Sequence, residues 1–167
     1  MKIRERYQIA DYIEVPAASG SEKEFALMGV GFTAIDENPS AQIASHQFVC
    51  DKAVSKSIRS YDPSFAFELL QVLEESAVKY IVNIGERQLT GTDAETRFVK
   101  VDLTAKVSNS DTEYEARLFK VAVEVSSLPN NEGQMGGSGN LLPIGDPVIG
   151  KFNITTRTFT EEGEATE

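Results

Sequence analysis

Residues 97–107, RFVKVDLTAKV, and residues 113–125, EYEARLFKVAVEV, decide the fold. In the first run, Val99, Val101, Leu103, Ala105 and Val107 alternate with Phe98, Lys100, Asp102, Thr104 and Lys106. Successive side chains of a strand point to opposite faces, so a period of two marks a half-buried β-strand. In the second run, Phe119, Val121, Val123 and Val125 take one face, and Lys120 and Glu124 the other. Ser108-Asn109-Ser110-Asp111 between them is turn chemistry, so the two runs predict an antiparallel hairpin. Its valines and Leu103 are expected to pack as core. Lys100, Asp102, Lys106, Lys120 and Glu124 are the expected polar face.

Outward toward the N-terminus, LEESAVKYIVNIGERQ (residues 73–88) repeats Ala77, Val78, Ile81 and Val82 at helical spacing. Glu74 and Glu75 suit a first turn and Gly85 a position just past the end, which predicts one α-helix at about 74–84. SFAFELLQV (64–72) predicts a strand with Phe65, Phe67 and Leu69 on one face, and FALMGVGFTAI (25–35) another, covered on both faces. Between them, residues 36–60 show a diluted β-type alternation through Ile43, Phe48, Val54 and Ile58. So long and weakly apolar a stretch predicts an extended loop or hairpin reaching away from the domain. Residues 1–24 are polar, with only Tyr7, Ile9, Tyr12 and Ile13 as anchors, and are expected to form an N-terminal arm or a peripheral strand. Toward the C-terminus, residues 129–140 are expected to be a flexible loop. LLPIGDPVIGKFNITTRTFT predicts two short strands around Gly145-Asp146-Pro147, and residues 161–167 a flexible acidic tail. The predicted class is therefore mainly β: an antiparallel sandwich or barrel, residues 25–160, with one α-helix and long extended loops.

The chain has 167 residues, which suits one domain able to bury its own core. Its 26 Asp and Glu against 16 Lys and Arg give a formal charge of −10, with no basic run of the kind that neutralises phosphates. The single Cys50 rules out an intramolecular disulfide. Neither a secretion signal nor a stretch of about 20 apolar residues is present, so the expectation is a product made in the cytoplasm, with no membrane partner.

Catalytic chemistry finds little support. His46 and Cys50 would share a strand face without touching, whereas a dyad needs hydrogen-bond contact and an orienting group. A structural zinc site needs about four N or S ligands, and these are the only two His or Cys residues. Gly29-Val30-Gly31-Phe32-Thr33-Ala34 matches a dinucleotide fingerprint, but runs into Asp36-Glu37-Asn38-Pro39 instead of a helical pattern. No catalytic residue, metal or cofactor is expected.

Four segments taken together carry a resemblance: YDPSFAFE (61–68), AVKYIVNIGERQLTGTDAETRFVKVDL (77–103), FKVAVEVSSL (119–128) and GNLLPIGDPVIGKFNITTRTFT (139–160). In order and content they resemble the major tail, or tail tube, proteins of long-tailed phages and prophages of Gram-positive bacteria. The resemblance covers residues 25–160. It implies a β-sandwich whose sheet joins side by side with those of five other copies, giving hexameric rings that stack into a tube within the virion tail. The implied partners are further copies of the chain, a tape-measure protein, and tail-tip and tail-terminator proteins. DNA would pass through the lumen without specific binding, and an acidic surface suits that passage. The expected contacts between rings come from Tyr7, Tyr12, Gln42, Ile43, His46, Phe48 and Met135. Lumen candidates are Lys100, Asp102, Lys106, Lys120 and Glu124. Two alternatives stay open: a terminator, or the tube of a contractile tail-like particle, on the same fold; and a small nucleotide binder or enzyme using Gly29–Ala34.

Overall fold

The structure is a computed structural model that describes residues 1–20 and 22–163. A short 3-10 turn (Arg6–Gln8) leads into β1 (Ile9–Pro16), β2 (Lys23–Leu27), β3 (Phe32–Asn38), β4 (Ala41–His46), β5 (Ser55–Tyr61) and β6 (Ser64–Leu70). The helix α1 (Ser76–Arg87) follows, then β7 (Glu95–Lys106), β8 (Glu113–Ser127), β9 (Asn130–Asn131), β10 (Gln134–Pro143), β11 (Val148–Asn153) and β12 (Thr158–Glu161). Every strand pairing is antiparallel. The mainly β, antiparallel class with one α-helix expected from the sequence is what the chain adopts.

The main sheet runs β2-β1-β7-β8-β10-β6-β3, with β11 and β12 attached through β8. The 15-residue β8 organises it. Along one edge it pairs with β7, matching Phe98 to Phe119 and Val101 to Ala116. Along the other edge its first half takes β11, through Glu113–Leu118, and its second half β10, through Val121–Ser127. One strand therefore serves two layers, and two cores result. The larger gathers Phe65, Phe67, Phe98, Phe119, Val121 and Leu141 beneath the helix residues Val78, Ile81 and Val82. The smaller lies on the opposite face of β1 and β7, where Tyr12, Phe25, Val99, Val101 and Phe152 meet. The Tyr12 and Phe152 rings stand 4.5 Å apart there. Fully burying each such aromatic contributes on the order of 1.5–3 kcal/mol.

Four sequence expectations need correction. Residues 9–16 are not an arm: β1 sits between β2 and β7, with Asp11 to Val15 all buried. Its charged residues disguise it, because Asp11 and Glu14 are paired inside the protein. The strand expected over 25–35 is two strands, broken where Gly31 takes a φ of +92° that other residues rarely adopt. Residues 129–140 are no flexible loop, since most of them form β9 and β10, and β10 is a central strand between β8 and β6. Gly85 lies inside α1, packed on Val125; the helix ends instead at Gln88, in the left-handed conformation, where the Leu89 N–H donates to the Ile84 carbonyl at 3.1 Å. Of the expected acidic tail, Glu161 ends β12 and residues 164–167 lie outside the described residues.

Candidate assembly surfaces

Half of the main sheet is covered on only one side. The strands β8, β10, β6 and β3 turn Val121, Val123, Leu141, Phe65, Phe67 and Ile35 toward the helix. By register, the other face carries Lys120, Ala122 and Glu124 on β8, then Leu142, Asn140 and Ser138 on β10. It continues through Ala66 and Glu68 on β6 and Ala34 and Asp36 on β3. An antiparallel sheet tolerates one solvated face, and this one is small, polar and net acidic. Lys120 is held by Glu95 at 3.0 Å, and Asn140 Nδ2 donates to Glu124 at 2.9 Å.

Both ends of this four-stranded face are open. Among the described residues β3 pairs with β6 alone, and β8 beyond Ala122 has no partner on its β7 side. Unpaired strand edges are templates for another chain. Gly139 lets β10 and β8 approach closely: a Cβ there would lie 1.9 Å from the Glu124 carbonyl oxygen, at the point where the β8–β10 register shifts.

The second surface is the β4–β5 hairpin, a separate two-stranded sheet joined to the body at β3 and β6. Every residue of β5 is exposed. Its apolar side chains nevertheless face water: Phe48 is 66% exposed, Ile58 60%, and Val49 fully. An isolated hairpin is at best marginally stable in water, so exposed apolar groups on one mark a contact surface. The extended excursion expected at 36–60 is this hairpin, together with the end of β3.

The expected contact residues separate. Gln42, Ile43 and His46 lie exposed on β4 and Phe48 at the hairpin tip, while Tyr7 and Met135 are exposed on the body. Tyr12 cannot serve, being only 6% exposed against Phe152 and Phe25. The five polar candidates do not share a face. Lys120 and Glu124 are on the open sheet face, whereas the register places Lys100 with Phe98 on the opposite side. Lys100 is also 7% exposed, donating to Asp11 at 3.3 Å and lying 5.5 Å above the Phe65 ring. Asp102 is half-buried and bonded to Arg4 at 2.6 Å, and Lys106 pairs with Asp111 beyond a register shift in β7. Glu68, Asp36, Asn140 and Ser138 were missed. Glu68 had a signal in the alternation of Ala66 and Glu68 with Phe65 and Phe67 in SFAFE, and Ser138 and Asn140 a weaker one in their alternation with glycines in GSGNL.

Two further ion pairs close the gap between strands. Arg97 grips Glu14 through two hydrogen bonds of 2.8 and 2.7 Å, and Arg117 grips Glu37 through two of 2.7 and 2.9 Å. These bonds hold both carboxyls below the usual glutamate range. His46 and Cys50 stand exposed on the hairpin, and the thiol donates to Asp51 Oδ1 at 3.7 Å. The Gly29–Ala34 motif runs into β3 and not into a helix N-terminus. Among the described residues no cluster of three or more His, Cys, Asp or Glu is placed to hold a metal ion, and no helix is long and apolar enough to cross a membrane. No protein-family model matches the sequence, and the curated proteins give no significant match.

Proposed function

We propose that this chain is the tube subunit of a non-contractile phage tail, a structural protein whose mechanism is self-assembly. The observation that carries the reading is the β8–β10–β6–β3 face, which among the described residues is open at both edges and uncovered by a second layer. Six copies joined edge to edge, β3 of one beside the free end of β8 of the next, continue this face into a closed barrel. Closure removes the exposed edges. The acidic, small-residue face then lines the channel, where a polyanion slides without adhering. The hairpin stands outside the sheet and reaches the adjoining ring. Tape-measure, tip and terminator proteins bound the assembly, and the virion tail is its place.

The register supplies a clean test. Asn38 pairs with Ser64, so a two-residue Asn-Gly turn can replace residues 39–63 without disturbing β3 or β6. The shortened protein keeps its circular dichroism and melting temperature but forms at most isolated rings. Normal tubes from that variant overturn the hairpin's role. Wild-type protein that closes single rings and never stacks points instead to a terminator of the same fold.

A further inference from the structure

The hairpin differs in charge from the body that carries it. Residues 41–61 hold three of the chain's 16 Lys and Arg, namely Lys52, Lys56 and Arg59, but only one of its 26 Asp and Glu, Asp51. A basic stalk with the apolar tip Phe48-Val49 thus projects from a strongly acidic molecule. Its complement is a surface with an apolar floor and an acidic rim.

A hollow on the body combines the two with a single base, whereas the one lined by Val107, Ile149, Glu115, Glu161 and Glu162 also holds Lys106 and Lys151. The first lies between α1 and the β1–β2 turn, holds about 560 Å³, and is floored by Pro16, Leu73 and Tyr80. Glu24, Glu74 and Glu86 rim it, all exposed, with Lys79 as the single base in the lining. Its volume is within the range of sites that bury a compact ligand. The apolar hollow beside β3 offers no such match: its charged residues Arg6 and Asp11 already pair with each other. The hollow at Arg117 is balanced between acids and bases.

We infer that the hollow between α1 and the β1–β2 turn receives the Phe48-Val49 tip of a second copy of this chain, with Lys52, Lys56 and Arg59 facing the Glu24, Glu74 and Glu86 rim. The contact is heterologous, because tip and hollow are different surfaces of one molecule, and such contacts propagate into rings or filaments. Electrostatic complementarity fixes the register and speeds the encounter. This inference builds on the assembly reading and names its contact.

Cys50 is the only cysteine and sits at the hairpin tip, so it reports the contact directly. Wild-type protein is mixed with a size-tagged C50S/L73C variant, whose fold is checked by circular dichroism, and oxidised with diamide. The expected product is a mixed disulfide dimer joining Cys50 of one copy to the cysteine introduced at position 73 of the other. Its yield falls at least tenfold when the wild-type partner carries K52E/K56E/R59E. Pairing that partner with C50S/L73C bearing E24K/E74K/E86K restores it. A mixture giving only Cys50–Cys50 dimers, or a yield indifferent to these charges, overturns the inference. Tubes seen by electron microscopy without the mixed disulfide leave the tube reading standing and remove this contact; the disulfide without tubes does the reverse.

Discussion

Asp11 and Lys100 lie inside the sheet as opposed residues of β1 and β7, and both are almost fully buried. Asp11 also pairs with Arg6, so the charge that loses most without its partner is the buried Lys100. Removing one member of a buried pair typically costs about 3–5 kcal/mol, because the other is left uncompensated, while replacing both with apolar groups is often neutral. D11A is therefore expected to lose about 3–5 kcal/mol in urea unfolding, and K100M added to it to recover most of that loss. Glu14 and Glu37 contribute to the acid limit. Their folded pKa values are depressed, first by the hydrogen bonds from Arg97 and Arg117. Their stabilisation is therefore full above the unfolded glutamate value of roughly 4.3, and is lost as pH falls through the folded values. Thermal melts should be flat from neutral pH to about 5 and fall below roughly 4.3; the E14Q/E37Q variant should start lower and decline less steeply. An equally steep decline in that variant would remove these pairs from the account.

Among the elements, β10 is the most exacting. A methyl group at Gly139 meets the Glu124 carbonyl oxygen, which belongs to backbone and cannot rotate away. G139A should cost about 3 kcal/mol or more, and a melting temperature within a degree or two of wild type would contradict the packing described. The same strand shows why legibility was uneven. The β7–β8 hairpin and α1 announce themselves because apolar residues recur at a single period over ten or more residues. β10 reads as a loop because QMGGSGN offers glycines where the sheet needs close approach, and composition alone equates glycine with flexibility. β1 reads as an arm because Asp11 and Glu14 look solvated until their partners on β7 are known. Tyr12 and Lys100 were misplaced for the same reason: each side chain's surroundings are supplied by strands distant in sequence.

At the scale of the whole molecule, the sequence conveyed the class and the hairpin, whereas the open sheet face required the strand order. Lys120 and Glu124 could be named from alternation, but grouping them with Glu68 and Asp36 depends on β10 lying between β8 and β6. Once that order is known, the acidic face with two free edges and the basic hairpin on an acidic body are the features on which the proposed self-assembly rests. Electron microscopy of the concentrated wild-type protein, with class averages taken end-on, tests this most directly. Hollow tubes of uniform width and sixfold cross-section, with Glu68 and Glu124 facing the channel, are expected. Particles without a channel, or monomers alone at every concentration reached, would overturn the tube reading.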